Sequence, residues 1–314
     1  MSVLAELVDA SIVPSILRAL TPVLLAALGG AICAKAGVFN VGLEGFMLVG
    51  AFAAVAGSWF TGSAWVGVLA GMLAGAAMAA LLAIASVKYG GDEIIVGIAL
   101  NLLAVGLTAF LLRTVFGKQG TFTDPDLQGL PTMLGQTPLT FLAWLLVPVL
   151  AVFLRRHVWG FRLQGVGEAP EAARSLGVDT ARYRYGAVLV SGLLCGLGGA
   201  QLSLGNVVLF SHNMTAGRGW VAVVAVLLAQ AAPFGVLFAA LLFATAEALG
   251  FRLQGVGLPS QIAQATPYVL TLIALIVASM RARRALGRAP TAPPPSEDRP
   301  PVADPAASTH LSRE

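Results

Sequence analysis

Charge is what this sequence has least of. Asp, Glu, Lys and Arg make up 11% of its 314 residues and 57% is hydrophobic, against roughly 25% charged in an ordinary soluble domain. That leaves no material for a sizeable soluble domain. Cysteine is nearly absent: Cys33 and Cys195 both sit inside apolar runs, too few for a disulfide or metal framework, and they read as packing residues. The three histidines, 157, 212 and 310, are dispersed, and no metal-ligand spacing or Ser/His/Asp arrangement appears. No Gly-x-x-x-x-Gly-Lys-Ser/Thr occurs, so the chain hydrolyses no nucleotide by that route. These absences exclude most enzyme classes, and nucleic acid is not an expected partner.

What is present is a series of apolar runs long enough to cross a bilayer, each needing about 20 residues. Spans are expected near 14–34, 46–60, 64–87, 94–112, 139–154, 185–204, 219–230, 234–250 and 265–280. The fold class is an all-α polytopic membrane protein of about nine (eight to ten) transmembrane helices. Residues 1–13 form a short N-terminal segment, 14–281 the membrane domain, and 282–314 a Pro-rich cytoplasmic tail expected to be disordered. The longest basic stretch, 155–184, carries Arg155, Arg156, Arg162, Arg174, Arg182 and Arg184. With that stretch inside and the N-terminus outside, fourteen of the nineteen lysines and arginines are cytoplasmic, leaving Arg18, Arg113, Lys118, Arg218 and Arg252 at outer ends. Nine crossings then satisfy the positive-inside rule. The short runs at 46–60 and 219–230 are the two that need not cross. The cluster after the last span, from Arg281 to Arg288, suits contact with anionic lipid.

Two stretches interrupt the apolar pattern. Residues 36–47 hold three glycines with Asn40 and Glu44, and residues 206–219 hold Asn213, Arg218 and more glycine. A lipid-facing helix does not tolerate such breaks, because freed backbone groups find no water in the bilayer core. An acid near membrane depth is read as functional. In both halves a span, a polar break with one charge, a short run and a longer run follow one another, and the nine-crossing topology runs the halves in opposite directions. Two opposed repeats with broken helices point to a transporter with both breaks on one path. Glu44 and Arg218 are candidates for an ion pair there; the alternative is two unrelated loops. Gly67, Gly71 and Gly75 form a small face for close helix packing, and Asn101 reads first as a helix–helix hydrogen bond, with a substrate contact as the alternative. Within 165–184, Pro170 at a first helical turn and a stop at Gly177 describe a short helix of about two turns. It is too short to stand alone and needs either a partner groove or the membrane surface.

Four stretches carry a family resemblance: Gly37–Gly45 (Gly-Val-Phe-Asn-Val-Gly-Leu-Glu-Gly), Asp92–Leu103 (Asp-Glu-Ile-Ile-Val-Gly-Ile-Ala-Leu-Asn-Leu-Leu), Gly167–Gly177 (Gly-Glu-Ala-Pro-Glu-Ala-Ala-Arg-Ser-Leu-Gly), and Met214–Trp220 together with Pro267–Thr271. In combination, over about 15–280, they resemble the inner-membrane permeases of bacterial ABC importers of the branched-chain amino acid, ribose and nucleoside type, closest to the nucleoside (simple-sugar) permeases that work with lipoprotein receptors of the basic membrane protein class. Ala169 departs from the usual asparagine before the proline, and Trp220 from Phe or Tyr. The resemblance implies a multi-pass protein of the bacterial inner membrane and a second, similar permease. It also implies cytoplasmic ATPases that carry the ATP and Mg, with no cofactor in this chain, and an external binding lipoprotein. It makes Glu168, Pro170, Glu171, Ala172, Ala173 and Gly177 the coupling helix toward the ATPase. It points to nucleosides, with Phe39, Asn40, Glu44, Asn101, Asn213 and Arg218 as candidates for the substrate path. The alternatives are sugars or branched-chain amino acids, or a self-sufficient secondary transporter using Glu44.

Overall fold

Eight apolar stretches alternate between two ends of a helical bundle in the computed structural model, which describes residues 12–255. In chain order the helices are α1 (Ile12–Lys35), α2 (Leu43–Thr61), α3 (Ala64–Ala83, prolonged by a π-helical turn Ile84–Lys88), α4 (Glu93–Phe116), α5 (Pro138–Arg156), α6 (Val158–Glu168), α7 (Pro170–Ser175), α8 (Thr180–Ala200, prolonged by a π-helical stretch Gln201–Val207), α9 (Arg218–Leu228) and α10 (Pro233–Gly255). Among the described residues seven helices are long and apolar enough to cross a membrane. The expected ninth span, near 265–280, the C-terminal tail and most of the N-terminal segment lie outside the described residues.

Local sequence sets several boundaries. Asp92 accepts hydrogen bonds from the N–H groups of Ile94 and Ile95, both 2.9 Å, and so caps α4. Asp179 caps α8 through the N–H of Arg182 at 3.1 Å. Pro138 and Pro170 open α5 and α7, where their missing N–H costs nothing. The basic helix ends collect together. The backbone of Gly37 lies against that of Gly167 and near the Arg184 guanidinium, and Glu93 accepts a hydrogen bond from the N–H of Phe39. At the opposite end two short strands, β1 (Thr121–Phe122) and β2 (Phe210–Ser211), pair antiparallel. Ser58 donates to the carbonyl of Gln128 at 2.7 Å, and Phe116 stacks on Phe122. The cytoplasmic end bears Lys35, Lys88 and the 155–184 arginines, as the charge rule requires, whereas Arg218, expected at an outer end, lies inside the bundle beside the first turn of α2.

The core is laid out as two matching halves. α1 packs on α9 and α10, α8 packs on α2 and α3, and α1 and α8 pack on each other. That reciprocity pairs α1 with α8, α2 with α9 and α3 with α10, the inverted repeat expected from the two breaks. One expected span is corrected. The run at 219–230 is α9, only 11 residues, about 16 Å at 1.5 Å per residue and too short to cross by itself. The irregular stretch 208–217 completes the crossing: its strand pairs with the outer loop, while Gly217 reaches the N-terminus of α2. Ser58 and Glu44 are separated on α2 by about 21 Å of helix, which is how deep that stretch descends. Two further boundaries move: α10 continues past the expected end near 250 to Gly255, and α6 occupies a region expected to hold only the short helix.

Glycine makes the α2–α3–α8 contact. A Cβ on Gly75 would stand 2.3 Å from the carbonyl oxygen of Gly192, one on Gly196 2.2 Å from that of Gly71, and one on Gly199 2.1 Å from that of Met47. Backbone meets backbone, as membrane helices do when lipid offers no hydrophobic drive for association. Gly196→Leu is expected to lower the melting temperature of the detergent-purified chain by about 5–10 °C. Gly106→Leu, at a position where a Cβ meets nothing within 4 Å, is the control and should leave it unchanged. Equal melting of the two variants would show that the close contact is not limiting.

Candidate functional site

The site is built where two helices begin. The chain leaves α1 at Lys35 and turns through Gly37 in the left-handed region, with φ +74°. Asn40 then bends back, its Oδ1 accepting the N–H of Gly42 at 2.9 Å, an Asx turn that lets α2 start at Leu43. Its Nδ2 donates to Ser191 Oγ on α8 at 3.0 Å. From α4, Asn101 clamps the same turn from the side. It accepts from the N–H of Gly45 at 2.8 Å and donates to the carbonyl of Val41 at 3.0 Å. Asn101 thus makes the helix–helix hydrogen bond expected of it, directed at backbone rather than at another side chain.

Glu44, in the first turn of α2, reaches the first turn of α9. Oε1 accepts from the N–H of Gly217 at 2.9 Å and Oε2 from that of Gly219 at 2.6 Å. Those N–H groups have no partner within their own helix, and both helix ends carry partial positive charge. One carboxylate therefore answers two helix N-termini that meet inside the protein. The approach requires glycine: a Cβ on Gly219 would stand 2.4 Å from the Cα of Glu44.

The expected Glu44–Arg218 ion pair does not form. Arg218 pairs instead with Glu247 of α10 and donates to the carbonyls of Met214 and Thr215 at 3.2 and 3.3 Å. The physical reason is that both Glu44 oxygens are committed to backbone donors, while Glu247 presents an otherwise unpaired acid beside the guanidinium. The structure brings Asn40, Glu44 and Asn101 together, all buried, and places Arg218 one residue from the Glu44 contact. Phe39 is half-buried at the start of the break, and Asn213 is exposed in the outer part of the second break. Sequence reading missed the roles of Glu93 and Ser191, which hold the first break from α4 and α8. It also missed a second polar cluster at the outer end. There Thr137 donates to Gln201 Oε1 at 2.6 Å, Gln201 to Asn206 at 2.9 Å, and Thr21 to Thr140 at 3.1 Å. A π-helical stretch inside an apolar span carries no residue signature of its own, so nothing in the sequence marked Gln201.

At the cytoplasmic end α6 and α7 form an elbow. α7 covers Pro170–Ser175 and closes with Gly177 at φ +77°, as the short helix was expected to do. Ala169 gives it no side-chain cap. Glu168, Glu171, Ala172 and Gly177 are exposed and Pro170 half-exposed, whereas Ala173 is buried against the protein itself. Leu176 at the tip is 83% exposed. The elbow rests on the first break: a Cβ on Gly167 would lie 2.3 Å from the carbonyl oxygen of Lys35.

Inverted halves around paired interruptions, with polar groups gathered at the breaks, define a helical membrane transport protein. Residues 12–279 match the permease component of the branched-chain amino acid transport system. The chain belongs to that family, as a multi-pass membrane permease subunit of an ABC importer and not an enzyme. It is 33% identical to the guanosine ABC transporter permease protein NupQ of Bacillus subtilis, covering 84% of this chain and 90% of that one. It is 36% identical to the nucleoside ABC transporter permease protein NupC of Lactococcus lactis, again covering 84% and 90%. To the Haloferax volcanii ABC transporter permease protein TsgC13, named provisionally for glucose, it is 37% identical over 82% of this chain and 80% of that one.

Loss of the Glu44 carboxylate orphans two buried N–H groups, each costing about 1–3 kcal/mol. Glu44→Ala should lose about twice the stability lost by Glu44→Gln, which keeps one acceptor. Chemical or thermal unfolding of the purified chain reads the difference; equal losses would mean that the two hydrogen bonds do not hold α9 in place.

Proposed function

We propose that this chain forms part of the translocation path of an ATP-driven importer of nucleosides. The observation that carries the substrate class is the 33–36% identity, across most of the chain, to permeases for guanosine and nucleosides. Importers of this kind need an energy source outside the permease, and this chain has no phosphate-binding loop. The partners are therefore a second, similar permease, cytoplasmic ATPases that carry the ATP and Mg, and an external substrate-binding lipoprotein. Phe39, Asn40, Glu44, Asn101, Asn213 and Arg218 belong to this path in two ways. Asn40, Glu44 and Asn101 fix the shape of the breaks through backbone hydrogen bonds. The half-buried Phe39, the exposed Asn213 and the rim of Arg218 are the groups left to meet a passing ribose or base.

The elbow Glu168–Gly177 docks on the ATPase. Glu168, Pro170, Glu171, Ala172 and Gly177 present its outer side, with Leu176 as the apolar anchor and Ala173 holding the helix to its own permease. ATP-driven movement of the elbow reaches the break directly, because Gly167 is packed against Lys35 and Gly37. Selection between outward- and inward-facing states then needs only that the ATPases bind the two positions of the elbow with different affinity.

Deletion of 168–177 should abolish co-purification of the ATPase from mild detergent while leaving membrane insertion intact. Recovery of an intact complex would refute the coupling assignment. For the substrate, uptake in cells carrying the complete transporter should be inhibited by unlabelled nucleosides and not by glucose or leucine. Inhibition by glucose would favour the sugar reading that the similarity to TsgC13 also allows. Uptake by the chain alone, following an ion gradient and indifferent to ATP, would overturn the importer.

A further inference from the structure

A cleft of about 670 Å³ opens between α1, α5, α6 and α8 in the cytoplasmic half of the bundle. Its depth is apolar, walled by Leu28 and Ile32 of α1, Leu150 and Phe153 of α5, and Val190 and Leu194 of α8. Its mouth is different. Arg162 of α6 and Arg182 of α8 stand there beside Trp159 and Tyr183, whose rings are 6.0 Å apart. Among the described residues neither guanidinium has an acidic partner: the ion pairs are Arg174–Glu171 and Arg218–Glu247. The acid at the same rim, Asp179, accepts the N–H of Arg182 at 3.1 Å and serves as the cap of α8.

We infer that this cleft binds an anionic phospholipid of the inner leaflet, its acyl chain between α1, α5 and α8 and its phosphate on Arg162 and Arg182. Three features converge on that occupant. The cleft size lies in the range of ordinary ligand pockets. Its apolar walls lie at bilayer depth and its unpaired cations at the depth of the headgroups, which the neighbouring Trp and Tyr also favour. Basic pockets between membrane helices on the cytoplasmic side select anionic headgroups by charge. The inference rests on the sidedness given by the basic helix ends and is independent of the transported substrate. Because α6 and the start of α8 frame the mouth and flank α7, a lipid seated there would brace the elbow.

The test is native mass spectrometry of the full chain, washed in detergent and then supplied with phosphatidylglycerol or phosphatidylcholine. One phosphatidylglycerol per chain should be retained, at least about tenfold over phosphatidylcholine, from two arginines near the headgroup. Arg162→Gln/Arg182→Gln, at exposed positions where the fold is not at stake, should bring retention down to the phosphatidylcholine level. Gly186→Trp, where a Cβ meets nothing within 4 Å on the cleft wall, should fill the cleft and remove the bound lipid without lowering the melting temperature. Equal retention of the two lipids, or phosphatidylglycerol retention unchanged in both variants, would overturn the assignment and leave the cleft to an apolar or protein partner.

Discussion

The structure depends on one carboxylate placed between two helix beginnings. α2 and α9 both start inside the protein, where their first N–H groups have no water to turn to. Glu44 supplies acceptors for Gly217 and Gly219 from the first turn of α2, and Asn40 and Asn101 answer Gly42 and Gly45 at the other helix. Without these side chains two irregular segments would bring unsatisfied backbone into a medium that punishes it by several kcal/mol per group. With them, the chain carries breaks at membrane depth. The two Glu44 hydrogen bonds also tie the first half of the repeat to the second.

Around that point the bundle is held by closeness rather than by size. Lipid tails are as apolar as leucine, so burying leucine gains little and dispersion between backbones has to do more. The α2–α3–α8 contact is made where glycine carbonyls and Cα atoms touch, at Gly71, Gly75, Gly192, Gly196 and Gly199. α1 occupies the corresponding place in the other half, with Gly29 against the backbone of Ser191. A rigid centre of this kind leaves the helix ends as the places where movement is cheap. Both breaks and the cytoplasmic elbow lie at such ends.

Much of this was legible in the sequence because polar residues in apolar runs are conspicuous. Gly37–Gly45 and Asn213–Gly219 announced the two breaks, the arginines of 155–184 announced the cytoplasmic side, and Pro170 with Gly177 bounded α7. The partners of the polar groups were not legible. Glu44 binds backbone N–H groups, which every residue but proline offers; the glycines at 217 and 219 permit the approach but, among so many glycines in the chain, do not name their acceptor. Arg218 had two acids to choose from, Glu44 and Glu247, and only the prior commitment of Glu44 decides between them. α6 was hidden because Val158-Trp-Gly-Phe-Arg-Leu-Gln-Gly mixes aromatics, arginine and glycine without a clean period. Its cap is His157, whose Nδ1 accepts the N–H of Trp159 at 3.2 Å, a residue that reads equally well as the end of α5.

The placement of α6 changes how force would travel through the proposed transporter. A coupling helix hung on a flexible loop would have to drag its neighbours through slack chain. Here α7 follows α6 after a single residue, and Gly167 on α6 meets Lys35 and Gly37 backbone to backbone. From Gly37 it is three residues to Asn40, which is bonded to Ser191 on α8, and four more to Glu44, which is bonded to α9. Every link in that series is a short run of chain, a direct contact or a hydrogen bond, and its one long side chain, Glu44, is held at both carboxylate oxygens. A displacement of the elbow by an ATPase would therefore reach both breaks with little loss. The absence of a Cβ at Gly167 and Gly37 is what allows the first link to be that short.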